Sequence, residues 1–185
     1  MFEKLLAALA RELDAAGVPY MVIGGQAVLL YGEPRLTRDV DVTLGVGPDR
    51  LPDVLRVVET LALRPLVEPQ AFVAETLVLP CSDVEGERQV DFVFSFGGYE
   101  REAIERANTA EIGGERVRFA SAEDLIVLKL VAGRPRDVED VRGILVRQPA
   151  LDAAYIRRWL SAFDEALGMQ TVSLFDDLAG PPPQP

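Results

Sequence analysis

The sequence predicts an α+β fold, in which a mixed β-sheet is flanked by helices and followed by a C-terminal helical segment. In the first two-thirds of the chain, short apolar strand patterns alternate with amphipathic helix patterns, and the last third carries helix patterns alone. The 185 residues are 49% hydrophobic, which is enough for a packed core. We therefore expect a core over residues 1–119, a helical segment over 120–168 and a flexible, proline-rich tail over 169–185.

The individual elements follow from periodicity and from helix and strand breakers. Phe2 to Ala16 places leucines at helical spacing, and Gly17-Val18-Pro19 ends that helix. The apolar residues Tyr20 to Ile23 predict a strand, which Gly24-Gly25 joins to a helix over Gln26 to Tyr31. Downstream, the same signals predict strands at 39–44, 76–80 and 89–96, a hairpin over 109–119, and helices at 48–63, 99–107, from 121 to the break at 133, 136–147 and 151–167.

Composition removes several classes of chemistry. Histidine is absent, which excludes histidine-ligated zinc and both Ser-His-Asp and Cys-His catalysis. The single cysteine, Cys81, sits in an apolar run and is predicted to be a small core residue. The net charge of −11 argues against a broad nucleic-acid-binding surface. No apolar run reaches the roughly 20 residues of a membrane helix, so we expect a cytoplasmic protein without a membrane partner.

Asp39-Val40-Asp41 places two carboxylates on one predicted strand. Residues i and i+2 of a strand point to the same face, so the two side chains project together. Two like charges this close repel unless a cation neutralises them, and Mg²⁺ is held by one or two carboxylates together with substrate phosphates. The pair is therefore either a metal site or two solvated aspartates on an exposed strand face.

Gly24-Gly25 lies between a predicted strand and a predicted helix. Glycine lets the backbone approach a ligand closely, and a helix N-terminus offers free N–H groups to an anion. Neither the Gly-Lys-Ser/Thr of a Walker A loop nor the Gly-x-Gly-x-x-Gly of a dinucleotide site is present here. The pair is either a phosphate-binding turn or an ordinary tight turn.

Asp91 interrupts an otherwise apolar strand, where an unpaired carboxylate is costly. Two interpretations account for it. On a strand beside that of Asp39 and Asp41 it would be a third metal ligand, whereas at a strand end it would pair with Arg38 or Arg88.

Lys129 lies inside an apolar helix of a chain that has only two lysines. An ammonium group suits phosphate binding as a compact point charge. Arg134 follows it, and Asp137 and Asp140, three residues apart, share one face of the next helix. This cluster either binds phosphate or joins the two helices through salt bridges.

Together these motifs resemble the DNA polymerase β-type nucleotidyltransferase superfamily. The shared order is an apolar strand ending in Gly24-Gly25, then Asp39-Val40-Asp41 on the next strand, then a later strand-borne Asp91. The segment from Ser121 to Leu145 resembles the helical part of bacterial toxin and abortive-infection members. Arg136-Asp137 stands where that branch often has Lys-Asp.

The resemblance implies a role for each motif. Asp39, Asp41 and Asp91 would be the catalytic carboxylates and would hold one or two Mg²⁺ ions, with Asp91 helping to deprotonate the acceptor hydroxyl. Nucleotide binding, of ATP or another triphosphate, would fall to Gly24, Gly25, Arg38, Lys129, Arg134 and Asp137. Residues 1–119 would then be the catalytic core of an enzyme that transfers a nucleoside monophosphate to an acceptor hydroxyl and releases pyrophosphate.

The resemblance does not select the class of acceptor, because the superfamily modifies tRNA, proteins and small molecules. A cognate toxin or antitoxin partner is a further expectation from the resemblance. The alternative function is a catalytically inactive nucleotidyltransferase fold that serves as a binding or antitoxin-like module. Retention of all three aspartates argues against inactivity, since strand aspartates without a function are free to become neutral.

Overall fold

Two compact units make up the chain. The computed structural model describes residues 2–34, 37, 39–95 and 97–180. The first unit, here called the sheet unit, consists of residues 1–26 and 36–120. The second, the helical unit, consists of residues 27–35 and 121–185. None of the helices in the described ranges is both long and apolar enough to cross a membrane.

The sheet unit contains a mixed sheet, which confirms the predicted fold class. Its strands are β1 (Tyr20–Ile23), β2 (Asp39–Leu44), β3 (Arg64–Pro65), β4 (Val78–Ser82), β5 (Gln89–Phe94), β6 (Asn108–Ile112) and β7 (Glu115–Phe119). Among the described residues they form one seven-stranded sheet in the order β3-β4-β5-β2-β1-β7-β6. The β2–β5 and β1–β7 pairs are parallel and the other neighbours are antiparallel.

Helices alternate with these strands along the chain. They are α1 (Phe2–Ala15), α2 (Gly24–Tyr31), which begins in the sheet unit, α3 (Leu51–Thr60) after a 3-10 turn at Pro48–Arg50, α4 (Pro69–Thr76) and α5 (Gly98–Glu105). α4 departs from the prediction of a strand beginning at Thr76. Its start is capped by Glu68, whose carboxylate accepts hydrogen bonds from the N–H groups of Gln70 and Ala71. Leu77, with φ of 59°, ends it, so β4 begins only at Val78.

The core of the sheet unit lies against the apolar face of the central strands. Val40, Val42 and Phe92 are fully buried, as the alternation of acidic and apolar residues predicts. Cys81 of β4 is also fully buried, which confirms it as a core residue. Burial, with a smaller contribution from the charge of Asp91, raises the pKa of its thiol to about 12.

The helical unit contains α6 (Ala122–Ala132), α7 (Pro135–Arg147), α8 (Ala153–Leu167) and α9 (Thr171–Ala179). Ser121 caps α6 by accepting a hydrogen bond from the Asp124 N–H, and Gly133 ends it with φ of 65°. Residues 27–35 belong to this unit rather than to the predicted core. One reason is that the Gln148 side chain donates a hydrogen bond to the Tyr31 carbonyl at 3.3 Å.

α9 lies within the segment for which the sequence predicted a flexible tail, 169–185. Asp164 of α8 caps this helix by accepting hydrogen bonds from the N–H and hydroxyl of Thr171 and from the N–H of Val172. Phe175 of α9 is only 1% exposed. The structure therefore corrects the tail prediction over Thr171–Ala179, because the capping residue lies on the preceding helix. Residues 181–185 lie outside the described part of the chain.

Candidate active site

β1 passes directly into α2 at Gly24. Gly24 has φ of +61°, a left-handed conformation that favours glycine. A Cβ atom built on Gly24 would lie 1.8 Å from Oδ2 and 2.8 Å from Cγ of Asp41. Both the backbone conformation and the available space thus require glycine here. The carboxylate of Asp41 lies against the first residue of α2.

Strand register brings the three predicted aspartates to one face of the sheet. Asp39 and Asp41 are two residues apart on β2, so both project to the same side. Asp41 is the direct Cα partner of Asp91 on the parallel strand β5. Direct partners on neighbouring strands project to the same face, so Asp91 joins the pair. We call these three residues the carboxylate face.

The carboxylate face lies at the margin of the core. Asp39 is exposed, whereas Asp41 and Asp91 are half-buried. Burial raises the pKa of Asp91, and the negative charge of Asp39 raises it further. Both causes oppose ionisation of Asp91, and a cation bound beside it would favour the ionised form. A cation bound beside Asp91 would thus relieve the repulsion from Asp39.

Arg88 is not the partner of Asp91. Its Nε donates instead to Oδ2 of Asp83 at 2.7 Å, and Asp83 also accepts from the N–H of Glu87 at 2.9 Å. The hydrogen bond from Arg88 holds the pKa of Asp83 below its usual value although burial opposes it. Arg38, the other candidate partner and a predicted nucleotide-binding residue, lies outside the described residues.

The chemistry of the carboxylate face suits a hard divalent cation, which takes oxygen ligands. Within the described ranges, no group of three or more Asp, Glu or Cys side chains is already arranged to hold a metal ion. The shared face is a property of the backbone, however, and an aspartate carboxylate reorients by rotation about χ1 and χ2 alone. Ligation by Asp39, Asp41 and Asp91 therefore requires side-chain rotation but no change of strand register.

The other predicted site residues form a charged cluster inside the helical unit. Lys129 of α6 pairs with Asp137 at 2.9 Å and with Asp140 at 2.7 Å, and its side chain is 5% exposed. Arg134 Nε donates to Asp137 at 2.6 Å. Burial raises the pKa of Asp137, but hydrogen bonds from Arg134 and Lys129 outweigh it and hold the pKa below its usual value. These contacts join α6 to α7, as the salt-bridge interpretation expects.

Two features of the start of α2 were not visible in the sequence. The contact of Asp41 with Gly24 depends on the antiparallel register of β1 and β2, in which Ile23 is opposite Asp41. Gln26, in the first turn of α2, is 5% exposed, whereas glutamine in a helix is ordinarily a surface residue. No local sequence pattern indicates either feature.

The mixed sheet and its accompanying helices are those of a nucleotidyltransferase fold of the DNA polymerase β type. The chain belongs to the family described as "Nucleotidyltransferase of unknown function (DUF6036)", whose model matches residues 2–170. It is therefore a nucleotidyltransferase, as the resemblance implied. Among curated proteins, none matches the chain in sequence.

Solved nucleotidyltransferase structures share this fold. The solution structure of the antibiotic-resistance factor ANT(2'')-Ia matches with a TM-score of 0.62 and 20% identity, over 90% of this chain and 92% of that one. A crystal structure of ANT(2'')-Ia in complex with adenylyl-2''-tobramycin has a TM-score of 0.60 and 21% identity, over 89% and 97%. The lincosamide antibiotic adenylyltransferase LnuA, bound to lincomycin, has a TM-score of 0.50 and 14% identity, over 71% and 89%.

Proposed function

We propose that this chain is an Mg²⁺-dependent nucleotidyltransferase that transfers a nucleoside monophosphate from a nucleoside triphosphate to an acceptor hydroxyl and releases pyrophosphate. The register of β2 and β5 carries the proposal, because it sets Asp39, Asp41 and Asp91 on one face. The start of α2 at Gly24 lies against the same face. A carboxylate cluster beside a helix N-terminus combines a site for a cation with a site for an anion. A metal–triphosphate complex carries both of these charges.

Asp39, Asp41 and Asp91 are the residues that would hold Mg²⁺, as one ion or two. When bound, the metal would neutralise the triphosphate and stabilise the attacking and leaving oxygens at the α-phosphorus. The N–H groups at the start of α2, at Gly24 and Gly25, would bind phosphate oxygens, because the first N–H groups of a helix lack intrahelical acceptors and its dipole favours anions.

Asp91 is the proposed acceptor of the hydroxyl proton. Its half-buried carboxylate lies on the same face as Asp39 and Asp41, where it could accept the proton while a bound metal would lower the pKa of the acceptor hydroxyl. The acceptor oxygen forms a bond to the α-phosphorus while the bond from that phosphorus to the bridging oxygen of the β-phosphate breaks. The bridging oxygen leaves on pyrophosphate with the electron pair, and the hydroxyl proton passes to a carboxylate oxygen of Asp91.

A small molecule with a free hydroxyl is the acceptor class that we propose, in preference to tRNA or protein. The solved relatives include ANT(2'')-Ia with adenylyl-2''-tobramycin and LnuA with lincomycin, and both of these ligands are small molecules. The net charge of −11 disfavours extended contact with RNA phosphates and favours a neutral or cationic acceptor. The toxin–antitoxin partner stays a prediction from the sequence.

Nucleotide binding by Lys129, Arg134 and Asp137 also stays a prediction. Within their own unit, the ammonium of Lys129 is enclosed by two carboxylates, so a phosphate would have to compete with both for it. These ion pairs favour a structural role for Lys129, in which it joins α6 to α7.

Label transfer tests the proposed function. Wild type would be incubated with each α-³²P-labelled nucleoside triphosphate and Mg²⁺, against small-molecule extract, total RNA and total protein in parallel. We expect label in the small-molecule fraction together with released pyrophosphate. Asp41→Asn should lose both, whereas Asp49→Asn is the matched control, because Asp49 is an exposed aspartate of the 3-10 turn, outside β2 and β5.

Two other results would change the interpretation. Binding of Mg²⁺–triphosphate without label in any fraction would favour the inactive, partner-binding module. Absence of both nucleotide binding and transfer by wild type would overturn the proposal.

A further inference from the structure

The carboxylate of Asp41 lies at the N-terminus of α2. A Cβ on Gly24, the first residue of this eight-residue helix, would overlap Oδ2 of Asp41 at 1.8 Å. The bare Cα of Gly24 is what leaves room for the carboxylate. Asp41 is thus the aspartate of the carboxylate face that touches the helix start, through a contact separate from its pairing with Asp91.

In the proposed function, the triphosphate binds at this end of α2. The first N–H groups of a helix lack intrahelical acceptors, and the helix dipole stabilises a negative charge beside them. An aspartate carboxylate and a phosphate oxygen are both anionic acceptors of such N–H groups, so they compete for the same helix end. A carboxylate that binds a cation loses much of this attraction, because its charge is then shared with the metal.

We propose that the Asp41 carboxylate occupies the start of α2 in place of a phosphate group. It thereby keeps the triphosphate from binding there until a cation binds the carboxylate and moves it from the helix start. The inference rests on the proposed function and deepens it, since it assigns Asp41 a second role beside metal ligation. Gly24 is the positioning residue in this scheme, because its missing side chain creates the space for Asp41. Triphosphate binding at α2 then depends on metal through Asp41 in particular.

Asp91 provides a matched control for the charge of Asp41. It lies on the same face and is the direct Cα partner of Asp41, but on β5, one strand further from β1 and Gly24. On its other side it is opposite Pro80 of β4. Asp41→Asn and Asp91→Asn therefore remove the same charge from the same face, and the first also removes the carboxylate that touches Gly24.

The test is the affinity for inorganic tripolyphosphate in EDTA, measured by isothermal titration calorimetry on the full chain. Tripolyphosphate carries the phosphates without a base, so base preference does not enter. We expect Asp41→Asn to bind roughly three- to thirtyfold more tightly than wild type, the range of anion–helix-dipole interactions. For Asp91→Asn, general relief of negative charge should give no more than about a twofold gain. Adding Mg²⁺ should strengthen binding by wild type and have little effect on Asp41→Asn.

Equal gains for the two variants, or no gain for Asp41→Asn, would overturn the inference. Thermal melts check that each variant is folded, and Asp41→Ala must show the same tightening as Asp41→Asn. The proposed function is judged separately, from wild type with Mg²⁺ and tripolyphosphate or ATP. Failure of that binding defeats the proposed function, whereas the comparison in EDTA alone decides the role of Asp41 at α2.

Discussion

Two groups of acidic side chains, one in each unit, differ in how their charge is balanced. In the helical unit, Asp137 and Asp140 pair with the buried ammonium of Lys129, and hydrogen bonds outweigh burial to hold the pKa of Asp137 below its usual value. In the sheet unit, Asp91 shares a face with two other aspartates. There burial, and then the charge of Asp39, raises its pKa. The anionic form of aspartate is therefore stabilised at Asp137 in the helical unit and destabilised at Asp91 in the sheet unit.

The difference separates a structural role from a functional one. A buried cluster with both signs of charge needs no further partner, and removing one member leaves a buried charge without compensation. Like charges on one face repel, and a bound cation relieves that repulsion, so the carboxylate face suits cation binding. We therefore propose a catalytic role for the carboxylate face, whereas the ion pairs of Lys129 join α6 to α7.

Asp41→Asn should produce the largest effect on the functional side of this comparison. We expect nucleotidyl transfer to fall on the order of 10³-fold, because a metal ligand and its charge are lost at the reacting centre. The melting temperature in EDTA should change little, because asparagine has nearly the same size and shape as aspartate. Initial rates of label transfer and thermal melts measure the two effects. A variant that kept more than about a tenth of the wild-type rate would contradict this role.

Lys129→Met should produce the largest effect on the structural side. It leaves two carboxylates at a buried site without their lysine, so we expect the free energy of unfolding to fall by about 3–5 kcal/mol in urea titrations. Lys4→Met is the control, because Lys4 is exposed on α1 and its loss should change stability by less than about 0.5 kcal/mol. Unchanged stability with weakened Mg²⁺–ATP binding would instead show Lys129 to be a phosphate ligand.

Gly24→Ala sharpens the comparison by displacing Asp41 without removing its charge. Gly86 offers a matched control: its φ is +72°, and a Cβ on it would meet nothing within 4 Å. Backbone strain should cost about 1 kcal/mol at each position. Transfer should fall in Gly24→Ala alone, by roughly 10²-fold, because its Cβ would occupy the space that the Asp41 carboxylate, and then the triphosphate, needs at the start of α2. Equal rates in the two variants would show that Gly24 serves only the turn.

The pH dependence of Asp91 gives the smallest effect. Its folded-state pKa is raised, so its contribution to stability is fully present below the unfolded value, near 4, and is lost as pH rises through the folded value. In EDTA at neutral pH, Asp91→Asn should be more stable than wild type by about 0.5 kcal/mol after solvent screening. Urea titrations should show this gain vanish toward acid pH. A stability gain of Asp91→Asn that increased toward acid pH would contradict the raised pKa of Asp91.

The sheet unit and its motifs were largely predictable from sequence, because their signals are local. β1 and β2 have the predicted bounds, and the apolar strand around Asp91 forms β5. β3 and α4 were missed, since a two-residue strand has no periodicity and α4 depends on the cap at Glu68. In the helical unit, α9 was missed for a similar reason, its cap being on α8.

The candidate site was predictable in its residue types but not in its contacts. Two aspartates at i and i+2 must share a face of a strand, so the Asp39 and Asp41 pair follows from spacing alone. The pairing of Asp41 with Asp91 depends on the parallel register of β2 and β5, and the contact with Gly24 on the register of β1 and β2. Register is set by the packing of the whole sheet, which no short motif encodes.

Metal binding at the carboxylate face is tested most directly by measuring Mn²⁺ binding with electron paramagnetic resonance. Mn²⁺ substitutes for Mg²⁺ at oxygen ligands and is itself the observed species. We expect wild type to bind Mn²⁺ in the presence of ATP, and Asp39→Asn and Asp41→Asn to bind it at least about tenfold more weakly. Lys129→Met should bind as wild type does. Wild-type Mn²⁺ affinity in both aspartate variants would contradict the account.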